Sequence, residues 1–215
     1  MKSLVLKDLY NIGHNAKSLV FMLAILTIAI VPASGVGGYL VMCIVLCSMM
    51  TVTTFTFDDM AGWTPYALVM PVTRREVVLA KYGVLAVFST AGAAFGLVTG
   101  GVVGAVVGEY DLSVSAIAEL AVTALVGWAV AFGTGSIAIP LVFRFGAERA
   151  RILLILSYLI PGALIAGVYG LLQMAGTSLS HGMLTALLCV SPLLALAWGG
   201  VMYQIACAIF ARKEY

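Results

Sequence analysis

The side chains that could perform chemistry are few and widely separated. A nucleophile needs a base within reach, acid–base hydrolysis needs carboxylates on facing elements, and a catalytic metal needs three or four donors together. His14 belongs to the N-terminal segment and His181 to a turn far along the chain, so neither completes such a set. Ser136, in Gly133-Thr134-Gly135-Ser136, is flanked by glycines as activated serines often are, but it lacks a histidine partner and reads as a small residue for helix packing. Asp58 and Asp59 are neighbours on one segment with no third carboxylate nearby. Cys43, Cys47, Cys189 and Cys207 form no Cys-x-x-Cys pair and lie in apolar surroundings, which favours buried reduced thiols over a disulfide frame or metal site. No Gly-x-x-x-x-Gly-Lys-Ser/Thr phosphate loop occurs. No catalytic residue, metal or cofactor is expected in this chain, and a net charge of +2 offers no footprint for nucleic acid.

The elements that would have to position any site are membrane helices. Of the 215 residues, 63% are apolar and 9% charged, against about 25% charged in a soluble domain. A span takes about 20 mostly apolar residues. Runs bounded by charges or turn residues predict six, at 16–33, 39–57, 83–107, 116–143, 152–175 and 183–210. The expected fold is all-α, a single polytopic membrane domain without internal repeat or linker. Only Ser34 to Gly38 separates the first two runs, so these should form a hairpin. Pro140, Pro161 and Pro192 should kink the last three helices.

Placing the N-terminus in the cytoplasm puts Lys2, Lys7, Lys17, Arg74, Arg75, Lys81, Arg144, Arg149, Arg151, Arg212 and Lys213 on one side. Those are all the lysines and arginines of the chain. Glu109, Asp111 and Glu119 fall toward the other side, so both termini are expected to be cytoplasmic. Glu119 is the one candidate proton carrier, and its place near the outer boundary favours a solvated interface residue. Leu19 to Val31, followed by Val31-Pro32-Ala33, has features of a cleaved signal, but the long polar segment before it argues for a first span. In residues 1–15, Val5, Leu9 and Ile12 continue to Ala16 on one helical face, with Lys7, Asn11, His14 and Lys17 toward the other. That pattern predicts a helix lying in the membrane interface; an ordinary leader with anchoring lysines is the alternative.

Residues 58–82 are the one sizeable insert outside the spans. Acids come first, then Gly62, Trp63 and Tyr66, then Pro71 and a Thr73 able to cap a helix through Arg74, Arg75, Glu76 and Lys81. Asp58 and Asp59 suit the start of a short helix by the macrodipole, and Trp63 and Tyr66, three apart, would share a face of it. A short surface helix presenting aromatics beside a basic helix start is the expected result. The second inner segment, Arg144 to Arg151, reads as a membrane anchor in which Glu148 pairs with a neighbouring arginine.

Asp58-Asp59, Gly62-Trp63, Tyr66, Pro71-Val72-Thr73-Arg74 and Val77-Val78-Leu79-Ala80-Lys81-Tyr82, together with Leu6-Lys7-Asp8-Leu9, resemble the pattern of the small permeases of the ABC-2 type. More narrowly, they resemble the six-span branch that includes exporters of peptide toxins and antimicrobial peptides. Thr73 stands where serine is common, Met70 where leucine is common, and Pro65 interrupts the short helix. The resemblance implies that the loop is a coupling helix seated in a separate ATP-binding subunit, which would hold the ATP and Mg and perform the hydrolysis. It also implies a second permease copy or a paralogue as partner. Asp58, Asp59, Gly62, Trp63, Tyr66, Arg74 and Arg75 are the expected partner-binding residues, with Trp63 and Tyr66 as anchors; an aromatic belt with lipid-anchoring arginines is the alternative.

Gly92, Gly96, Gly100 and Gly104, continued by Gly108, repeat every four residues and make a smooth strip for another helix, for packing or for sliding. Met49, Met50 and Thr53 are candidates for a pathway for amphipathic molecules, since methionine adapts to irregular shapes and threonine offers hydrogen bonds without charge; helix packing is the alternative. The expected function is the membrane subunit of an ATP-driven exporter of an amphipathic or hydrophobic substrate. A channel or secondary transporter that needs no ATP, and a membrane scaffold that transports nothing, are the rivals.

Overall fold

A computed structural model describes residues 2–13, 16–69, 71–108, 113–146, 157, 167 and 181–212. Six helices have both ends among the described residues: α1 (Lys2–Gly13), α2 (Ala16–Met60), α3 (Trp63–Val69), α4 (Arg74–Val107), α5 (Val114–Phe145) and α6 (His181–Ala211). No strand occurs among the described residues. The span expected at 152–175, with Pro161, lies outside them apart from isolated positions, as do His14, Glu109, Asp111 and Glu148. Among the described residues, four helical segments are long and apolar enough to cross a membrane: Lys17–Met60, Arg74–Val107, Ser115–Phe145 and Leu188–Ala211.

The 45 residues of α2 would measure about 68 Å if straight, more than twice the roughly 30 Å of a hydrocarbon core. They are not straight. Gly35 has φ 73° and ψ 173°, values outside the helical region that a residue without Cβ adopts most readily. The change of direction is concentrated at this one residue, where the sequence suggested a five-residue turn. Its consequence appears at Thr27, whose hydroxyl lies 2.8 Å from that of Tyr39. Twelve residues along a straight helix would separate these groups by about 18 Å. Tyr39 also meets the Thr99 hydroxyl of α4 at 2.8 Å, so one phenol ties both halves of α2 to α4.

The glycine strip of α4 faces the second half of α2. A Cβ on Gly92 would stand 2.8 Å from Cys47 Cβ and 3.0 Å from Ile44 Cα; on Gly96, 2.8 Å from Leu40 Cδ1; on Gly100, 3.0 Å from Tyr39 Cδ1. Gly92, Gly96, Gly100 and Gly104 are all buried, and the strip is a packing surface. Gly108 instead ends the helix in the left-handed conformation, with its amide bonded to Gly104 O.

Two apolar clusters form along this bundle. One joins Leu23, Val31, Tyr39, Leu40 and Ile44 of α2 to Leu120 and Ala124 of α5. The other joins Phe55 of α2, Val78 and Leu85 of α4, Phe132, Ile139 and Phe143 of α5, and Phe210 of α6. Pro140 and Pro192 lie inside α5 and α6. Cys43 and Cys47 are buried free thiols, Cys207 is half-buried and Cys189 exposed. Met49, Met50 and Thr53 are half-buried, with the Thr53 hydroxyl directed at the Met50 sulfur, 3.9 Å away.

Candidate functional site

α3 is a seven-residue helix set between two much longer ones. The turn before it is closed by Ala61 N–H to Phe57 O and Gly62 N–H to Asp59 O, with Gly62 at φ 58°. Pro65 does not break it, because the third position of a helix has no intrahelical acceptor for an amide in any case. Trp63 is half-buried against the cluster of Phe55, Val78, Leu85, Phe143 and Phe210, and Ala67 is buried, so this face is turned to the bundle. Tyr66 and Val69 point away, 69% and 88% exposed, with Met60 exposed beside them. The expected pairing of Trp63 and Tyr66 on one outward face is therefore divided: three helical steps leave the two side chains about 60° apart, and the boundary with the bundle runs between them.

α4 starts on a complete capping box. The Thr73 hydroxyl accepts from Glu76 N–H, while the Glu76 carboxylate accepts from the Thr73 amide and hydroxyl, both at 2.9 Å. Those donors hold the Glu76 carboxyl below the usual carboxylate range, so the box is present at neutral pH and lost only as pH falls through that lowered value. Thr73→Ala should cost about 1 kcal/mol, read as a lower thermal midpoint, with Thr73→Ser close to the parent.

Arg74, expected to face a partner or a lipid phosphate, donates through Nη1 to Phe210 O at 2.9 Å and Ala211 O at 2.8 Å. It caps the open carbonyls at the end of α6. Arg75 stays at the surface and, with Thr73, Tyr203 and Gln204, lines a groove of about 800 Å³ between α4 and α6.

Asp58 also differs from the expectation. It is buried near the end of α2 and faces inward, where its Oδ2 lies 2.6 Å from Lys81 Nζ. Lys81, only 3% exposed, also donates to Asp8 Oδ2 at 2.8 Å and Thr54 Oγ1 at 3.0 Å. Lys7 adds a second cation. It pairs with Asp58 Oδ1, stands 3.2 Å from Asp8 Oδ1, and lies over the Trp63 ring at 3.4 Å from its centroid. Two ammonium groups and two carboxylates thus balance one another where α1, α2 and α4 meet. Asp59 remains at the surface.

A protein-family model for the ABC-2 family transporter protein matches residues 3–211. The chain belongs to the ABC-2 transporter family. It is a multi-pass membrane protein and a permease subunit of an ABC transporter, a class that works with an ATP-binding subunit. A comparison with curated proteins gives no match.

In this ABC-2 chain the partnership of Asp8 with Lys81 was missed from sequence, although a signal existed. Asp8 lies on the same face of α1 as Val5 and Ile12, one turn from each, and Ile12 is buried. A carboxylate on the buried face of an amphipathic helix requires a cation nearby. The α1 face expected to meet lipid instead packs on protein at this point, with Val5 against Gly83 of α4.

Proposed function

We propose that this ABC-2 permease couples ATP hydrolysis in a separate ATP-binding subunit to export of an amphipathic or hydrophobic substrate, with α3 as the coupling helix. The observation that carries this reading is the exposed pair Tyr66 and Val69 on a short helix whose other face is fastened to the bundle. Such a helix offers a soluble subunit an aromatic anchor and a lever at once. The proposed architecture has six spans, with the break at Gly35 dividing α2 into the first two and residues 152–175 supplying the fifth. Both termini are cytoplasmic, in keeping with the basic residues. Two such permeases, identical or related, form the transporter, and ATP and Mg belong to the partner subunits. Met49, Met50 and Thr53 remain the candidate pathway residues, and peptide is the substrate class favoured by the loop's resemblance to peptide exporters.

Roles within the loop divide by orientation. Tyr66 is the partner anchor, with Asp59 and Arg75 at its margin. Trp63 holds the helix from behind, Asp58 does so through Lys7, Arg74 ties the start of α4 to the end of α6, and Gly62 supplies the turn. The test is co-purification with the ATP-binding subunit. Tyr66→Ala should weaken the complex by about 2 kcal/mol or more, roughly thirtyfold in affinity, as loss of an interface anchor does, while the isolated permease keeps its thermal midpoint. An unchanged complex would remove Tyr66 from the interface. Flux through the chain reconstituted alone would instead support a channel or secondary transporter.

A further inference from the structure

Membrane topology needs lysines only near the inner surface. It does not explain why Lys81 is withdrawn from water and held by Asp8, Asp58 and Thr54. Stability explains it poorly too, because desolvation offsets most of the attraction within a buried ionic cluster; the best-attested use of such a cluster is to fix register. The parts registered here can be named. Lys7 and Asp8 come from α1, Thr54 and Asp58 from the end of α2, and Lys81 from α4.

The cluster also reaches α3. That helix is joined to the chain by the Gly62 turn on one side and by the segment containing Pro71 and Val72 on the other. Across space, the Lys7 ammonium that pairs with Asp58 lies over the face of Trp63. A cation over an indole ring is attracted to the ring's negative face. Lys7 therefore connects α1 to α3, and Asp8 and Asp58 hold Lys7 in place.

We propose that Lys7, Asp8, Asp58 and Lys81 form a charge lock that makes α1 and α3 a single mechanical unit. The four are positioning residues: displacement of α3 carries α1 with it, and α1 bears on α4 through Asp8 and Lys81. The proposal rests on the reading of α3 as the helix that receives the partner, but its geometry belongs to the permease alone. It separates two kinds of residue in one loop, since Tyr66 would receive the push and the lock would distribute it.

The experiment uses the full chain in lipid nanodiscs, with Trp128→Phe and Trp198→Phe leaving Trp63 as the sole tryptophan of three. Amide hydrogen exchange of α1 and α3 and the Trp63 emission spectrum are recorded together. Asp8→Asn should speed exchange in both α1 and α3 by roughly a hundredfold, the effect of breaking one partner from a buried pair, and should shift Trp63 emission. Lys7 has a quarter-exposed side chain, so Lys7→Met provides a milder variant if Asp8→Asn does not fold. It should speed α3 exchange roughly tenfold and shift the same emission. Faster exchange confined to α1, with α3 and Trp63 unchanged, would overturn the lock. So would Lys7→Met leaving α3 and the emission as in the parent. Because no partner is present, failure of the lock is distinguishable from failure of the docking reading, which is read separately by co-purification.

Discussion

Lys81→Met should destabilise the permease by about 3–5 kcal/mol, the cost typical of removing one member of a buried ionic pair. The substitution keeps most of the side chain's length and apolar stem, so it isolates the loss of charge. Asp8 and Asp58 would then share the single cation of Lys7, and Asp58 would lose a contact of 2.6 Å. The measurement is thermal unfolding in detergent or nanodiscs, together with the yield of monodisperse protein. Asp8→Leu combined with Lys81→Met provides the control. It removes a neutral pair, leaves Lys7 with Asp58, and should recover most of the loss, as apolar replacements of buried ion pairs do. Equal stability of Lys81→Met and the parent would mean that the cluster is not buried as described.

Gly92→Leu should separate α4 from the second half of α2. At Gly92 even a Cβ would come within 3.0 Å of Ile44 Cα, a backbone atom that cannot turn aside as a flexible side-chain end can. Gly92→Ala is therefore expected to cost about 1–3 kcal/mol, the range for overfilled packing. The leucine, with three further carbons, should prevent the native approach of the helices. At Gly101, on the same helix, an added Cβ would meet nothing within 4 Å, and Gly101→Ala should leave the thermal midpoint unchanged or raise it. If Gly92→Ala and Gly101→Ala behaved alike, close approach along the glycine strip would be refuted.

How much of this could be read in advance depended on how far apart the interacting residues lie. The Thr73 cap was legible because its partner, Glu76, is three residues away. The strip from Gly92 to Gly104 was legible as a periodicity, but the identity of the facing helix required the fold at Gly35 and the return of α2. Charges were the hardest to place. An aspartate at the end of an apolar run looks the same in sequence whether it meets water or a lysine on another helix. The sequence offers Asp58 as a helix-start charge or a partner contact, yet its partners within the chain are Lys81, 23 residues along, and Lys7, 51 residues back. The contacts of Arg74 are hidden from sequence for the same reason, since the carbonyls it caps lie more than 130 positions later. Trp63 and Tyr66 illustrate a smaller error. Their spacing correctly put them on neighbouring parts of a helix, but the line between bundle and solvent passes through that interval.

In the proposed transporter the outward face of α3 seats against an ATP-binding subunit. The seating is read by Val69→Cys, in a chain whose Cys189 and Cys207 are replaced by serine, cross-linked with a short bifunctional reagent in the presence of that subunit. Val69 projects from α3 with 88% of its surface free, and Val106, near the opposite end of α4, is similarly open and supplies the control as Val106→Cys. Position 69 should give a cross-link that is abolished when Tyr66→Ala is added, and position 106 should give none. No cross-link from position 69 in a complex that otherwise forms, or the same yield from both positions, would contradict it.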